Sequence, residues 1–303
     1  MATKLNAAQR GRQKARERII ESALFLAAAS SVFVTLGIAG VLLYESASFF
    51  AHVPLWDFLT DTMWTPLFAD AHYGILPLIT GTLLSTLVAL FVAAPLGLIA
   101  AIYLSEFASA GFRETVKPAL ELLSSVPTVV YGFFALLFVT PLLQRTILPS
   151  LPGFNILSAG IVIGIMIIPY VASVSEDALR AVPQGLRDGS LALGATKLET
   201  AFRVVLPAAL SGVAAAFILG ISRAVGETMV VAIAAGQQPN LTLDPREPAA
   251  TITAYIVQVA LGDLPHGSTG YQSIFAAGLV LFLITLSFNI LSFWLRRRFR
   301  ESY

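Results

Sequence analysis

One stretch of the sequence, residues 208–235, reads AALSGVAAAFILGISRAVGETMVVAIAA. This apolar run exceeds the roughly 20 residues that an α-helix needs to cross a bilayer. It nevertheless carries two charges near its middle, Arg223 and Glu227. A charge at membrane depth costs from about 2.5 to more than 10 kcal/mol and usually faces a protein interior or a substrate path. The stretch therefore predicts a membrane-spanning helix with a polar site inside it.

Further apolar blocks accompany this stretch. The sequence is 56% hydrophobic and only 12% charged, whereas soluble domains contain about 25% charged residues. Blocks of about 19 residues or more match the length of a helix that spans the hydrocarbon core. We therefore predict an all-α membrane protein with six transmembrane helices. The predicted spans are Ala23–Tyr44, Ile75–Leu104, Ala119–Leu143, Ile156–Val174, Ala208–Ala235 and Ile274–Leu295.

The distribution of Lys and Arg predicts which side of the membrane each loop faces. Basic residues close to the ends of spans stay in the cytoplasm. Arg145 and Arg246 fall on one side, Arg223 falls inside a span, and the rest of the 19 basic residues fall on the other side. Both termini are therefore predicted to be cytoplasmic. The basic residues assigned to the cytoplasm are Lys4, Arg10, Arg12, Lys14, Arg16, Arg18, Arg113, Lys117, Arg180, Arg187, Lys197, Arg203, Arg296, Arg297, Arg298 and Arg300.

The same pattern divides the chain into a basic arm, residues 1–18, and a single transmembrane domain, residues 19–303. The arm abuts a span and has no interleaved aromatic residues. We therefore interpret it as a signal that orients the chain in the membrane, rather than as a nucleic-acid-binding patch. Two larger loops are expected, a cytoplasmic one at about 175–206 and an extracytoplasmic one at about 236–271. Within the second, Pro248–Leu261 is too short to span and predicts a re-entrant or interfacial helix.

Aromatic residues and prolines add two further expectations. Trp56, Phe58, Trp64 and Tyr73 in the first outer loop indicate an interfacial aromatic belt, or a surface for an extracellular partner. Prolines inside spans remove backbone hydrogen bonds and bend helices, although membrane helices are rich in proline generally. Bent helices around a cavity are expected from four of them, Pro95, Pro127, Pro141 and Pro169.

Several kinds of chemistry are not expected from this sequence. It contains no cysteine, which excludes a disulfide framework and a thiolate metal site. His52, His72 and His266 fall in predicted loops and share no ligand spacing, so we predict neither a metal nor a cofactor. The phosphate-binding pattern G-x-x-x-x-G-K-[ST] is absent as well. If ATP drives this protein, a separate subunit hydrolyses it, and the chain is not itself an enzyme.

The cytoplasmic loop predicts two short helices, Ser175–Ala181 and Leu186–Phe202. Gly194 interrupts the second, and a mid-helix glycine costs about 1 kcal/mol relative to alanine, so it indicates a tight turn or a close backbone approach. The loop resembles the EAA loop of ABC-transporter permeases, in which E-A-A-x3-G is followed by nine residues and then by I-x-L-P. The matching positions are Asp188-Gly189-Ser190, Gly194, Val204, Leu206 and Pro207, with D-G-S in place of E-A-A.

This resemblance implies that the loop is a coupling helix, inserted into a groove on an ATP-binding subunit. Asp188, Gly194, Val204, Leu206 and Pro207 would then form the ATPase-coupling site. The chance alternative is an ordinary cytosolic helical hairpin.

A second resemblance concerns the charged span. Arg223-Ala-Val-Gly-Glu227-Thr228-Met229 is similar to the R-A-x-G-E-T motif of the phosphate-importing ABC permeases. Two segments in the first outer loop, Phe58-Leu59-Thr60 and Trp64-Thr65-Pro66, favour the PstC type over its partner, the PstA type. Other segments that match the family are Tyr73-Gly74, Gly81-Thr82-Leu83, Pro95-Leu96-Gly97, Tyr103-Leu104-Ser105-Glu106 and Tyr131-Gly132.

The resemblance implies a type I ABC importer permease fold in a bacterial inner membrane. The implied partners are a second homologous permease, a dimer of ATP-binding subunits, an extracytoplasmic phosphate-binding protein and membrane lipid.

The residue chemistry agrees with an anion as the substrate. Phosphate leaves water only for a cation and several donors, and the Arg fork bonds two oxygens while staying charged. Positions four apart share a helical face, so we expect Glu227 to pair with Arg223 until an anion competes for the arginine. Ser222 and Thr228 would add hydroxyl donors to this substrate path.

Alternative interpretations of the charged span and of the whole chain stay open at this point. Arg223 and Glu227 could form a buried ion pair that only fixes helix packing. The substrate could be another oxyanion. The chain could also be an ion-coupled secondary transporter, or a membrane sensor of phosphate status.

Overall fold

The computed structural model describes residues 7–68 and 70–298 of the 303-residue chain. Lys4 and Arg300, which belong to the predicted basic termini, lie outside the described residues. Regular structure in the described part is helical, apart from two isolated β-bridges, Trp64 with Tyr73 and Gly236 with Ala249.

Most of the described helices follow one another with short connections, and the longer connections are residues 61–75 and 235–251. The first half of the chain contains α1 (Ala7–Phe50), α2 (Leu55–Thr60), α3 (Leu76–Ile102), α4 (Ala110–Ser124), α5 (Thr128–Phe134) and α6 (Thr140–Thr146). The second half contains α7 (Ile156–Arg180), α8 (Gln184–Ala192), α9 (Lys197–Thr200), α10 (Leu206–Ala208), α11 (Leu210–Val225), α12 (Met229–Ala234), α13 (Ile252–Ala260) and α14 (Thr269–Arg298). Three π-helical turns extend α3 and join α5 to α6 and α9 to α10, at Tyr103–Phe107, Ala135–Val139 and Ala201–Val205.

The described helices agree with the predicted all-α membrane fold. By length and hydropathy, five of them could cross a membrane: Arg16–Phe50, Leu76–Phe107, Thr128–Thr146, Ile156–Arg180 and Thr269–Leu295. A sixth span is obtained when Lys197–Ala208 and Leu210–Val225, which meet at a bend of 74°, are counted together.

The helices α3 and α7 form the centre of the molecule. Their backbones approach closely, because a Cβ at Gly164 would lie 2.7 Å from the Ala89 carbonyl oxygen and one at Gly160 would lie 2.6 Å from the Val88 Cβ. Small residues of this kind allow membrane helices to pack against each other without a hydrophobic driving force. Most of the inward face of α7 is buried, including Ile163 and Ile167. The pair therefore behaves as one tightly packed unit.

The third predicted span begins later than its apolar block suggested. The sequence indicated Ala119–Leu143, but α4 ends at Ser124 and the span starts at Thr128. Pro127 is the N-cap residue of α5, and a proline disfavours helical geometry at the residue before it. The other three prolines that were expected to bend a span lie within helical segments. Pro95 and Pro169 are inside α3 and α7, and Pro141 is at the start of α6.

The fifth predicted span, Ala208–Ala235, is not one helix. It bends at Ala209, ends its main helix at Val225 and resumes only at Met229. The interruption covers Gly226, Glu227 and Thr228. The single continuous helix predicted there is therefore wrong, and the consequence for the two charges is described below.

The aromatic belt predicted in the first outer loop is wrong for two of its members. Trp64 and Phe58 are each 1% exposed and belong to a buried aromatic cluster with Phe49. The Trp64 ring also meets Tyr255 of α13, edge to face, with 5.0 Å between centroids. Trp56 does project outward. The loop is thus folded onto α13, and its aromatic residues hold it there.

Candidate functional site

The centre of the candidate site is the break between α11 and α12. The Glu227 side chain, 8% exposed, turns toward the start of α12. Its Oε1 accepts hydrogen bonds from the backbone amides of Met229 at 3.1 Å and Val230 at 3.3 Å. The first amides of a helix have no partner within that helix, and a carboxylate there also offsets the positive helix end. Glu227 therefore acts as a cap that starts α12.

Three threonines from other parts of the chain surround this break. Thr253 of α13 donates its hydroxyl to the Glu227 carbonyl oxygen at 2.7 Å and lies 3.1 Å from the Thr251 hydroxyl. Thr82 of α3 accepts the Ile252 amide at 3.0 Å. All three threonines are buried. The break, the start of α13 and the N-terminal part of α3 thus form one buried polar junction, which the sequence did not reveal.

The segment predicted to be re-entrant contains α13, so a short helix does form there. Its N-terminal residues Ile252, Thr253 and Ala254 are all buried among neighbouring helices. The buried start of α13 is what brings Thr253 to the break.

Arg223 lies in the last turn of α11 and its side chain is exposed on this chain. The expected ion pair with Glu227 is wrong for this structure. The helix ends at Val225, so a spacing of four no longer places the two side chains on one helical face. Among the described residues no carboxylate lies within 4.0 Å of the Arg223 guanidinium.

The two predicted hydroxyl donors are half-buried, Ser222 directly before Arg223 in the chain and Thr228 directly after Glu227. Ser222 donates to the Ile218 carbonyl at 3.0 Å, and Thr228 donates to the Gly226 carbonyl at 3.2 Å. The four predicted substrate-path residues therefore lie around one break, but they do not form one hydrogen-bonded set. Arg223 presents the charge, and Glu227 organises the backbone beside it.

The loop predicted to be cytoplasmic, at about 175–206, has helix bounds different from the predicted ones. Ser175–Ala181 is not a separate helix, because α7 continues without interruption to Arg180. The second predicted helix is interrupted at Gly194 as expected, with φ at +86°. After this turn, Thr196 and Glu199 form a reciprocal capping box that starts α9.

Residues of this loop between Gly185 and Val204 form an open groove of about 620 Å³. It is lined by Leu186, Gly189, Leu193, Gly194 and Val204, among others, and Leu193 is 91% exposed. Exposed apolar residues gathered in one concave place indicate a protein-binding surface.

The other predicted coupling residues lie beside this groove. Asp188 is exposed and accepts a hydrogen bond from Gln184 at 3.0 Å. Leu206 is half-buried, and Pro207 is exposed at the start of α10. Within residues 16–68 and 70–295, no group of three or more His, Asp or Glu residues is arranged to hold a metal ion.

A bundle of helices that are long and apolar enough to cross a membrane defines a multi-pass helical membrane protein. Residues 93–301 match the family of binding-protein-dependent transport system inner membrane components. The chain belongs to this family.

Curated relatives agree over most of the chain. It is 34% identical over 287 residues to the probable ABC transporter permease protein YqgH of Bacillus subtilis, covering 93% of this chain and 91% of that one. It is 34% identical over 257 residues to the phosphate transport system permease protein PstC of Haemophilus influenzae, covering 78% and 79%. A probable PstC of Methanocaldococcus jannaschii is 31% identical, covering 77% and 78%.

Solved structures show the same fold. A bacterial ABC transporter that imports the acidic polysaccharide alginate gives a TM-score of 0.64 at 16% identity, covering 96% of this chain and 100% of that chain. The MetNI methionine ABC transporter gives 0.53 at 19% identity, covering 75% and 95%. The fold is that of the type I ABC importer permeases, as predicted from the sequence.

Proposed function

We propose that this chain is the PstC-type permease subunit of an ATP-driven importer of inorganic phosphate in a bacterial inner membrane. Its similarity to PstC proteins over more than three quarters of its length supports this function. The observation that carries it is the position of Arg223, a charge in the last turn of α11, the second half of the bent helix pair that counts as the sixth span, with no carboxylate partner in the described part of the chain.

Arg223 can bind a phosphate oxyanion because its guanidinium offers two parallel N–H donors and stays charged at all working pH values. Glu227 is held on the amides of α12, so it does not neutralise this arginine. The negative charge of Glu227, four residues after Arg223 in the chain, still limits how tightly Arg223 holds an anion. Ser222 and Thr228 flank the same break and can turn their hydroxyls toward an anion. Weak binding of this kind suits a path that must release its substrate.

The remaining parts of the proposal concern partners. The groove around Gly194 and Val204 receives an ATP-binding subunit, with Asp188, Leu206 and Pro207 at its border. A second homologous permease covers the exposed face that carries Arg223, and an extracytoplasmic binding protein delivers phosphate. ATP hydrolysis takes place in the separate subunit, and movement reaches the permease through the loop.

The function is tested by uptake of radiolabelled phosphate in cells that lack this chain and are complemented with it. We expect restored uptake, loss of that uptake when the ATP-binding subunit is deleted, and little competition from excess molybdate or sulfate. Uptake that survives deletion of the ATP-binding subunit would contradict the proposal and indicate a secondary transporter. Normal uptake without this chain, combined with lost phosphate-dependent regulation, would indicate a sensor.

A further inference from the structure

Arg187 of α8 and Glu106, in the π-helical end of α3, form a nearly buried bidentate ion pair. The Arg187 Nε lies 3.1 Å from Glu106 Oε2, and Nη2 lies 2.8 Å from Oε1. Their side chains are only 12% and 10% exposed. Ser105 donates a further hydrogen bond to the Glu106 carboxylate at 2.8 Å. Two parallel hydrogen bonds fix the relative orientation of the two groups as well as their distance.

The same guanidinium also holds the end of α7. Its Nη1 donates to the Val182 carbonyl oxygen at 2.6 Å, and Nη2 donates to the Leu179 carbonyl oxygen at 2.9 Å. The last carbonyls of a helix have no partner within that helix, and a cation there is favourable. One side chain of α8 is thus bonded to both members of the closely packed pair α3 and α7.

Other residues of α8 face the opposite direction. Leu186 and Gly189, which flank Arg187, line the open groove on the outer side of the loop. Arg187 instead lines a separate polar cavity with Glu106 and Ser105. The helix therefore presents one face to a docked subunit and anchors its other face in the membrane domain.

We propose that the Arg187–Glu106 pair transmits the movement of α8 to α3 and α7, so that the docked ATP-binding subunit moves these helices as one body. Arg187 and Glu106 are positioning residues for transport and do not touch the substrate. The inference rests on the proposed function, because it takes the groove around Gly194 as the docking place of the ATP-binding subunit. Without the pair, α8 follows the docked subunit while α3 lags behind it.

The first experiment compares Glu106→Gln with wild type in the complete transporter reconstituted in liposomes. Phosphate uptake and ATP hydrolysis stimulated by the phosphate-loaded binding protein are measured on the same preparation. We expect the phosphate carried per ATP to fall by about tenfold, within the usual range for coupled sites, while hydrolysis continues. Asp177→Asn is the matched control, because the ion pair between Asp177 and Lys117 joins α7 to α4 and not to α8. The control should leave the ratio unchanged.

The second experiment measures the movement directly. The chain has no cysteine, so two introduced cysteines, Ala192→Cys on α8 and Leu96→Cys on α3, are the only positions of the chain that react with a spin label. Both positions are exposed, and the partner subunits are used in cysteine-free form. We expect the distance between the labels to be the same in nucleotide-free and ATP-trapped wild type, and to change between these states in Glu106→Gln.

Two results would overturn the inference: equal losses of uptake and hydrolysis in Glu106→Gln, or label distances that match wild type in both states. The proposed function fails by a different result, namely a wild-type complex that hydrolyses ATP without carrying phosphate.

Discussion

Thr253 donates a hydrogen bond of 2.7 Å to the carbonyl oxygen of Glu227, across 26 residues of chain. This bond holds the break between α11 and α12 against the start of α13, a helix of the predicted extracytoplasmic loop. Arg223, the residue that we propose to bind phosphate, lies one turn before this break. The position of the proposed anion site is therefore tied to the loop that a proposed extracytoplasmic partner would contact.

The cap made by Glu227 predicts different effects for two substitutions. Glu227→Gln keeps an oxygen that can accept from the Met229 and Val230 amides, so we expect a thermal midpoint close to that of wild type. Glu227→Ala leaves both amides unpaired and should lower stability by about 0.5–2 kcal/mol, the usual cost of a lost cap. The measurement is thermal unfolding of the purified protein in detergent. Equal destabilisation by both variants would show that the carboxylate charge, and not the cap, is what matters.

The close approach of α3 and α7 predicts that Gly164 cannot be enlarged. The Cβ of Gly164→Ala would lie 2.7 Å from the backbone oxygen of Ala89, and a backbone atom cannot rotate away as a side chain can. We expect a loss of about 1–3 kcal/mol, as for other overpacked interiors, and less protein in the membrane fraction. Gly37→Ala is the control, since nothing lies within 4 Å of a Cβ there. If both variants accumulate to the wild-type level, the packing described here is not that of the protein in the membrane.

The turn after α8 predicts a loss of docking on substitution of Gly194. Its φ of +86° is rare for residues with a Cβ, so Gly194→Ala should disfavour the turn by about 1–2 kcal/mol. This corresponds to roughly tenfold weaker binding of the ATP-binding subunit. Gly111→Ala adds the same methyl group in α4, which does not line the groove, with no contact within 4 Å, and this variant should bind normally. Affinities measured with the purified subunits distinguish the two. Normal binding by Gly194→Ala would contradict the assignment of this turn.

The outer loop predicts a pH-dependent stability centred on His72. Its Nδ1 lies 2.9 Å from the Asp61 carboxylate, and Asp70 lies 3.7 Å from Nε2. The hydrogen bond to Asp61 is the largest influence on the His72 pKa and, despite partial burial, raises it above 6.5. A raised folded-state pKa means that protonated His72 stabilises the loop fully below the unfolded value, and that this contribution is lost as pH rises through the folded value.

Thermal unfolding from about pH 5.5 to 8.5, which brackets the ordinary histidine pKa, should therefore show a midpoint that decreases with rising pH. His72→Gln should flatten that decrease. A midpoint that increases with pH in wild type, or an identical slope in the variant, would contradict this role of His72.

Much of the fold could be predicted from local features of the sequence. The apolar blocks predicted the membrane-length helices, and Gly194 marked its turn, because hydropathy and glycine geometry are properties of short segments. The late start of the third span was also marked, by Pro127. The adjacent apolar residues of α4 concealed that signal because they merged with the span into one block.

The break after Val225 was not predictable in the same way. Gly226 is a weak helix former, but one glycine does not by itself end a helix. The interruption is held by Thr253, within a junction that also contains Thr251 and Thr82, and these residues lie far away in the chain. The burial of Trp64 against Tyr255 has the same origin, since only the folded outer loop brings the two rings together. Partners chosen by the tertiary structure leave no periodic pattern in the sequence.

The most direct test of the account is phosphate uptake by the reconstituted transporter carrying Arg223→Gln. Loss of a charged hydrogen-bond donor, worth about 1.5–3 kcal/mol, should reduce uptake at least tenfold with normal assembly and membrane content. Arg145→Gln is the matched control, because Arg145 is also an exposed arginine in the last turn of a helix, α6. The account predicts wild-type uptake for Arg145→Gln and little for Arg223→Gln. Wild-type uptake by a fully assembled Arg223→Gln transporter would contradict it.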